Sequence, residues 1–204
     1  MFLDSGDGLV FLGDEGQWYS PEERQFHLSK QAATRLLQGI IKTYQDLEGQ
    51  QLKEIFLHSR SEISKDEFEG YQQACPAGVK LVGIRVKPEP KLKFFRQGSR
   101  PVFRGTFIQL NEKTGYLWGT GFKPRLGTYD GWEVPVPARI DIQHGDASIE
   151  QVSRDIFSLT KLNYNCCKLS DSIPVTIKFS NAVGEILISN KAVKDRRPQF
   201  KFYI

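Results

Sequence analysis

The sequence predicts a mixed α/β domain built on a βαβ core, and three patterns in its 204 residues carry that prediction. Ala33, Leu36, Leu37, Ile40, Ile41 and Tyr44 recur at helical spacing and form one apolar stripe. Two apolar runs, Ile55 to Leu57 and Val79 to Val86, have the length of strands covered on both faces. A helix-opening phrase lies between them, and strand, helix, strand in that order favours a parallel crossover unit.

The elements follow in chain order. Phe2 to Leu12 reads as two short strands around Gly6-Asp7-Gly8, because Asp-Gly between apolar runs suits a hairpin turn. Residues 13 to 28 carry Gly, Glu and Pro and read as loop. Ser29 opens the first helix and Glu48-Gly49 ends it. Ser64-Lys65-Asp66-Glu67 has capping-box form, in which the hydroxyl accepts a main-chain N–H of the first turn. Pro76-Ala77-Gly78 stops that second helix. Phe94 to Phe95, Val102 to Leu110, Tyr116 to Thr120 and Val134 to Ile142 read as further strands, with a hairpin loop at Asn111 to Gly115. Ser148-Ile149-Glu150-Gln151 is a second capping box, and Ile149, Val152, Ile156, Leu159 and Leu162 share one face of its helix. Val175 to Phe179 is extended or enters a last helix, whose apolar face is Ala182, Val183, Ile186 and Leu187. The tail alternates Phe200, Phe202 and Ile204.

Bulk properties narrow the class. With 39% hydrophobic residues the chain can bury one core, and it lacks the composition of a disordered segment. No stretch is apolar for long enough to span a bilayer, and Met1-Phe2-Leu3-Asp4 has no basic lead and no apolar core, so a cytoplasmic setting is expected. The three cysteines, Cys75, Cys166 and Cys167, form no CxxC pair and read as reduced, buried thiols. His27, His58 and His144 have no metal-ligand spacing. The net charge of +4 is unevenly placed. Asp4, Asp7, Asp14, Glu15, Glu22 and Glu23 make the start acidic, whereas Lys80 to Arg125 is strongly basic and Lys191, Lys194, Arg196, Arg197 and Lys201 form a second basic cluster. Such a face either attracts polyanions or keeps the surface solvated.

Six phrases are more specific than periodicity. They are Met1 to Gly8, Leu57-His58-Ser59-Arg60, Leu117-Trp118-Gly119-Thr120-Gly121, Pro124-Arg125-Leu126-Gly127-Thr128-Tyr129, Leu159 to Asn165, and Pro174-Val175-Thr176-Ile177. In this order, over nearly the whole chain, they resemble the PIWI domain of prokaryotic Argonautes, and most of all the short, inactive bacterial forms. The resemblance implies an RNase H-like mixed sheet flanked by helices. It also implies that residues 1 to 204 form a partial PIWI domain. The family's first sheet strand, with its first catalytic aspartate, lies just upstream of a segment like Met1 to Leu12. The guide-gripping MID domain lies further upstream, outside this chain.

The same resemblance bears on catalysis. Active members surround two divalent metals with an Asp, Glu, Asp, Asp-or-His set, which activates water and stabilises the leaving oxygen. Where the third carboxylate follows a strand in a His-Arg-Asp-Gly-like phrase, this chain has His58-Ser59-Arg60-Ser61. The fourth position falls on Asn181. The second lies on a variable loop, to which Glu15, Glu22 or Glu23 cannot be assigned. No catalytic residue is therefore expected, with Ser59, Arg60 and Asn181 standing at degenerate positions. Glu62 or Asp66 replacing the lost carboxylate is the alternative, although both also suit a loop and the first turn of a helix. His58, beside that position, is either a hydrogen-bonded structural histidine or a catalytic one.

For binding, the resemblance implies a basic groove that holds a guide RNA (or DNA) and its complementary target DNA (or RNA) by their backbones. Thr160, Lys161, Asn163 and Asn165, polar and closely spaced at a helix end, suit phosphate contacts or helix termination. Arg125, Thr128 and Tyr129 lie in a turn-like phrase, and Lys194 and Arg196 belong to the second basic cluster. Trp118 and Trp132 either stack on bases or join the core. The carboxylate of Ile204 is expected to reach the guide 5′ phosphate through a structural Mg²⁺, since two anions need a cation between them. The implied partners are the MID-containing remainder of the Argonaute and an effector subunit such as a TIR, sirtuin-like or nuclease protein. The implied function is sensing of invading DNA in bacterial defence. The alternatives are a metal-dependent nuclease completed by another chain, and a non-catalytic scaffold fragment.

Overall fold

Three serines begin helices. Ser29 Oγ accepts from the main-chain N–H of Ala32 at 3.2 Å, Ser64 Oγ from that of Glu67 at 3.2 Å, and Ser148 Oγ from that of Gln151 at 3.4 Å. Each satisfies a first-turn donor that the helix itself cannot. The helices so opened are α1 (Lys30–Glu48), α2 (Lys65–Ala74) and α3 (Ile149–Leu159), and a further helix, α4, spans Val175–Ser189. These features belong to a computed structural model that describes residues 18–20, 25–48, 51–129, 131–162 and 171–189. The hairpin expected at Phe2 to Leu12, the cysteines Cys166 and Cys167, and the alternating tail lie outside the described residues.

Among the described residues seven strands accompany the helices. β1 (Trp18–Ser20) and β2 (Gln25–His27) pair antiparallel as a small ribbon of their own. β3 (Glu54–Ser59), β4 (Lys80–Pro88), β5 (Phe107–Gln109), β6 (Thr114–Leu117) and β7 (Ala138–His144) form one mixed sheet in the order β3-β4-β7-β6-β5. β5, β6 and β7 are consecutive antiparallel neighbours, with Ile108 opposite Tyr116 and Gly115 opposite Ile140. β3 and β4 are neighbours joined through α2, as the βαβ reading expects.

Four expectations are corrected. The stretch 13 to 28, read as loop, contains the β1–β2 ribbon, whose strands of three residues are too short to show a period. Among the described strands β3 is at one edge of the five, and Ile55, Phe56 and Leu57 are half-buried, not covered on both faces. Phe94 and Phe95 are not in a strand: Phe94 leans on Trp118 with ring centroids 5.5 Å apart, and Phe95 is 75% exposed. Leu162 lies past the end of α3 and is exposed.

The chain divides into two units, one of Met1–Ile84, Gln143–Gly145 and Asn181–Ile204, the other of Arg85–Ile142 and Asp146–Ser180. In the first, Ala33, Leu37 and Ile41 of α1 pack with Ile63, Phe68 and Tyr71. In the second, Val102, Trp118, Ile140, Val152 and Ile156 are buried. Trp118 is fully buried, and its Nε1–H donates to the Pro135 carbonyl at 3.2 Å. A buried indole thereby keeps its one donor satisfied.

A candidate nucleic-acid interface

The phrase His58-Ser59-Arg60 sits at the end of β3. His58 and Ser59 are half-buried strand residues, and Arg60 is the first exposed residue beyond them. Burial holds the His58 imidazole down at about 4, so the ring is neutral at pH 7. The turn that follows is fixed from β7. The main-chain N–H of Ile63 donates to Gln143 Oε1 at 2.9 Å, and the Ile63 carbonyl lies 2.7 Å from His144 Nε2. The His144 ring also stacks on Phe68 with centroids 4.4 Å apart. Asn181 lies on α4 and is half-buried. Glu62 and Asp66 are exposed, Asp66 in the first turn of α2. Among the described residues no group of three or more His, Cys, Asp or Glu is placed to share a metal ion.

The helix end that suits phosphate contact divides in two. Thr160 caps α3: it is 1% exposed, its hydroxyl donates to the Phe157 carbonyl at 2.6 Å, and its carbonyl accepts from the Asp171 N–H at 3.0 Å. Its polar groups are thus engaged in ending the helix. Lys161 is exposed, with Nζ 5.0 Å from the centroid of the Phe157 ring. Asn163, Asn165, Lys194, Arg196 and Ile204 lie outside the described residues. Arg125 and Thr128 are exposed in a tight turn closed by the Lys123 N–H donating to the Thr128 carbonyl at 2.9 Å. Tyr129, next to it, donates its hydroxyl to the Glu133 carbonyl. Trp132 is fully exposed, in contrast to Trp118.

Three arginines that in the sequence count only as basic residues are arranged on phenylalanine rings. The Arg96 guanidinium lies 3.9 Å from the centroid of Phe103, that of Arg100 lies 4.7 Å from Phe122, and that of Arg104 lies 4.5 Å from Phe157. Phe103 and Phe122 are 6.0 Å apart, and their backbones form an isolated bridge. Two glycines permit this. Gly121 has φ +147°, and a Cβ there would sit 2.4 Å from the Val102 carbonyl oxygen. Gly105 has φ +87°, and a Cβ there would meet the Phe157 ring at 2.9 Å. Residues with side chains rarely adopt either backbone conformation, so both positions favour glycine. Arg104 Nε–H donates to the Gly119 carbonyl at 3.1 Å, whereas its buried Nη2 has no partner among the described residues.

Argonautes are among the solved structures similar to the chain. Argonaute of Clostridium butyricum bound to a guide DNA with a 5′ deoxycytidine and a 19-mer target DNA matches with a TM-score of 0.64, over 80% of this chain and 21% of that one, at 19% identity. The chain has an Argonaute-like fold. Aa-Ago with externally bound siRNA matches with a TM-score of 0.63, over 88% of this chain and 24% of that one, at 15% identity. The mixed sheet flanked by helices agrees with the RNase H-like fold that the resemblance implies. The chain spans roughly a fifth to a quarter of the length of these Argonautes. No family model and no curated protein matches it. Among the described residues no helix is long and apolar enough to cross a membrane.

Proposed function

We propose that the chain is part of a PIWI domain of the short, inactive kind, which holds a guide and its target without cutting. The observation that carries this reading is the Argonaute-like fold, combined with the residue types at the positions where the resemblance calls for carboxylates. Ser59 offers a hydroxyl, Arg60 a cation and Asn181 a neutral amide. That donor set does not fit Mg²⁺, which takes hard and preferably anionic oxygen. A guanidinium also repels a divalent cation. No hydrolytic step is therefore assigned to this chain.

Under this reading the basic segment between Lys80 and Arg125 contacts backbone phosphates, and base pairing between guide and target reads the sequence. Lys161, Arg125 and Thr128 are exposed, as such contacts require. The rest of the particle supplies the MID domain. A cytoplasmic effector subunit, of TIR, sirtuin-like or nuclease type, responds to target DNA in defence. Ile204 contributes its terminal carboxylate to a Mg²⁺ that also takes the guide 5′ phosphate. The charge balance there is a physical requirement, because carboxylate and phosphate repel unless a cation lies between them.

The test is reconstitution with the MID-containing remainder and a 5′-phosphorylated guide. Complementary target should be retained in a salt-sensitive complex and should emerge intact after incubation with Mg²⁺. Cleavage that disappears in Glu62→Gln or Asp66→Asn would overturn the reading. For the terminal carboxylate, chelation with EDTA should weaken loading of a 5′-phosphorylated guide and leave a 5′-hydroxyl guide unchanged. Equal loss for both guides would remove Mg²⁺ from that contact.

A further inference from the structure

We draw no further inference here: the strongest candidate, the fully exposed Trp132 on the loop between β6 and β7, carries nothing, because nothing in the structure shows what covers it.

Discussion

Replacing Trp118 by alanine should lower stability by about 3–5 kcal/mol, the range for removing a large aromatic from a packed core. For a chain of 204 residues that corresponds to a fall in Tm of roughly 6–20 °C. Several interactions meet at this one position. The side chain is fully buried, Phe94 leans on its ring, and its Nε1–H satisfies the Pro135 carbonyl. Its main chain also ties two segments together, since Trp118 N–H donates to the Thr106 carbonyl at 2.9 Å and Gly105 N–H donates to the Trp118 carbonyl at 2.8 Å. Trp118→Phe separates volume from polarity. It keeps most of the packing and orphans the Pro135 carbonyl, for a loss of about 1–3 kcal/mol. Chemical denaturation of both variants measures the two effects, and a loss below about 1 kcal/mol for the alanine variant would show that the site collapses onto itself.

Acid should destabilise the chain through His58. Its imidazole is held at about 4 in the folded state, against an ordinary value of 6.5. Between those values the unfolded chain takes up a proton that the folded chain refuses. Stability is therefore complete above pH 6.5, falls as the pH drops through the window, and levels off below about 4. At about 1.4 kcal/mol for each pH unit the full loss is on the order of 3 kcal/mol. Glu67 works in the opposite sense. Burial raises its carboxyl, so the folded state holds that proton more firmly than the unfolded chain does and this contribution shrinks as pH rises. Denaturation midpoints across the pH range, with wild type beside His58→Asn, isolate the histidine. The variant should lose the slope between pH 6.5 and 4, and an unchanged slope would assign it to other groups.

Local chemistry is legible in the sequence and distant geometry is not. Ser29, Ser64 and Ser148 each name a helix start because a capping hydroxyl and its acceptor role lie within one turn of sequence. The stripe on α1 is equally readable, with Ala33, Leu37 and Ile41 buried. The Phe94-Phe95 pair misleads because apolar residues among cations look alike whether they extend a sheet or flank an indole. Only a fraction of the run Val102 to Leu110 is strand, since Gly105 breaks the extended backbone with a positive φ. In the candidate site, Lys161 is marked by its place at a helix end and is exposed. Arg104 has no individual mark because its ring partner, Phe157, lies on α3, far along the chain. Spacing carries no trace of such a pairing. The one signal available is the alternation of arginine and phenylalanine between Phe94 and Arg104.

The clamp on Ile63 limits how far its neighbour can travel. With the amide of that residue tied to Gln143, its carbonyl against His144, and its side chain only 3% exposed, the peptide planes on the two sides of Ile63 are each anchored. A carboxylate arriving at the end of β3 from position 62 would have to swing on its own torsions, without the loop migrating to deliver it. Reach, more than charge, then sets what that glutamate can touch.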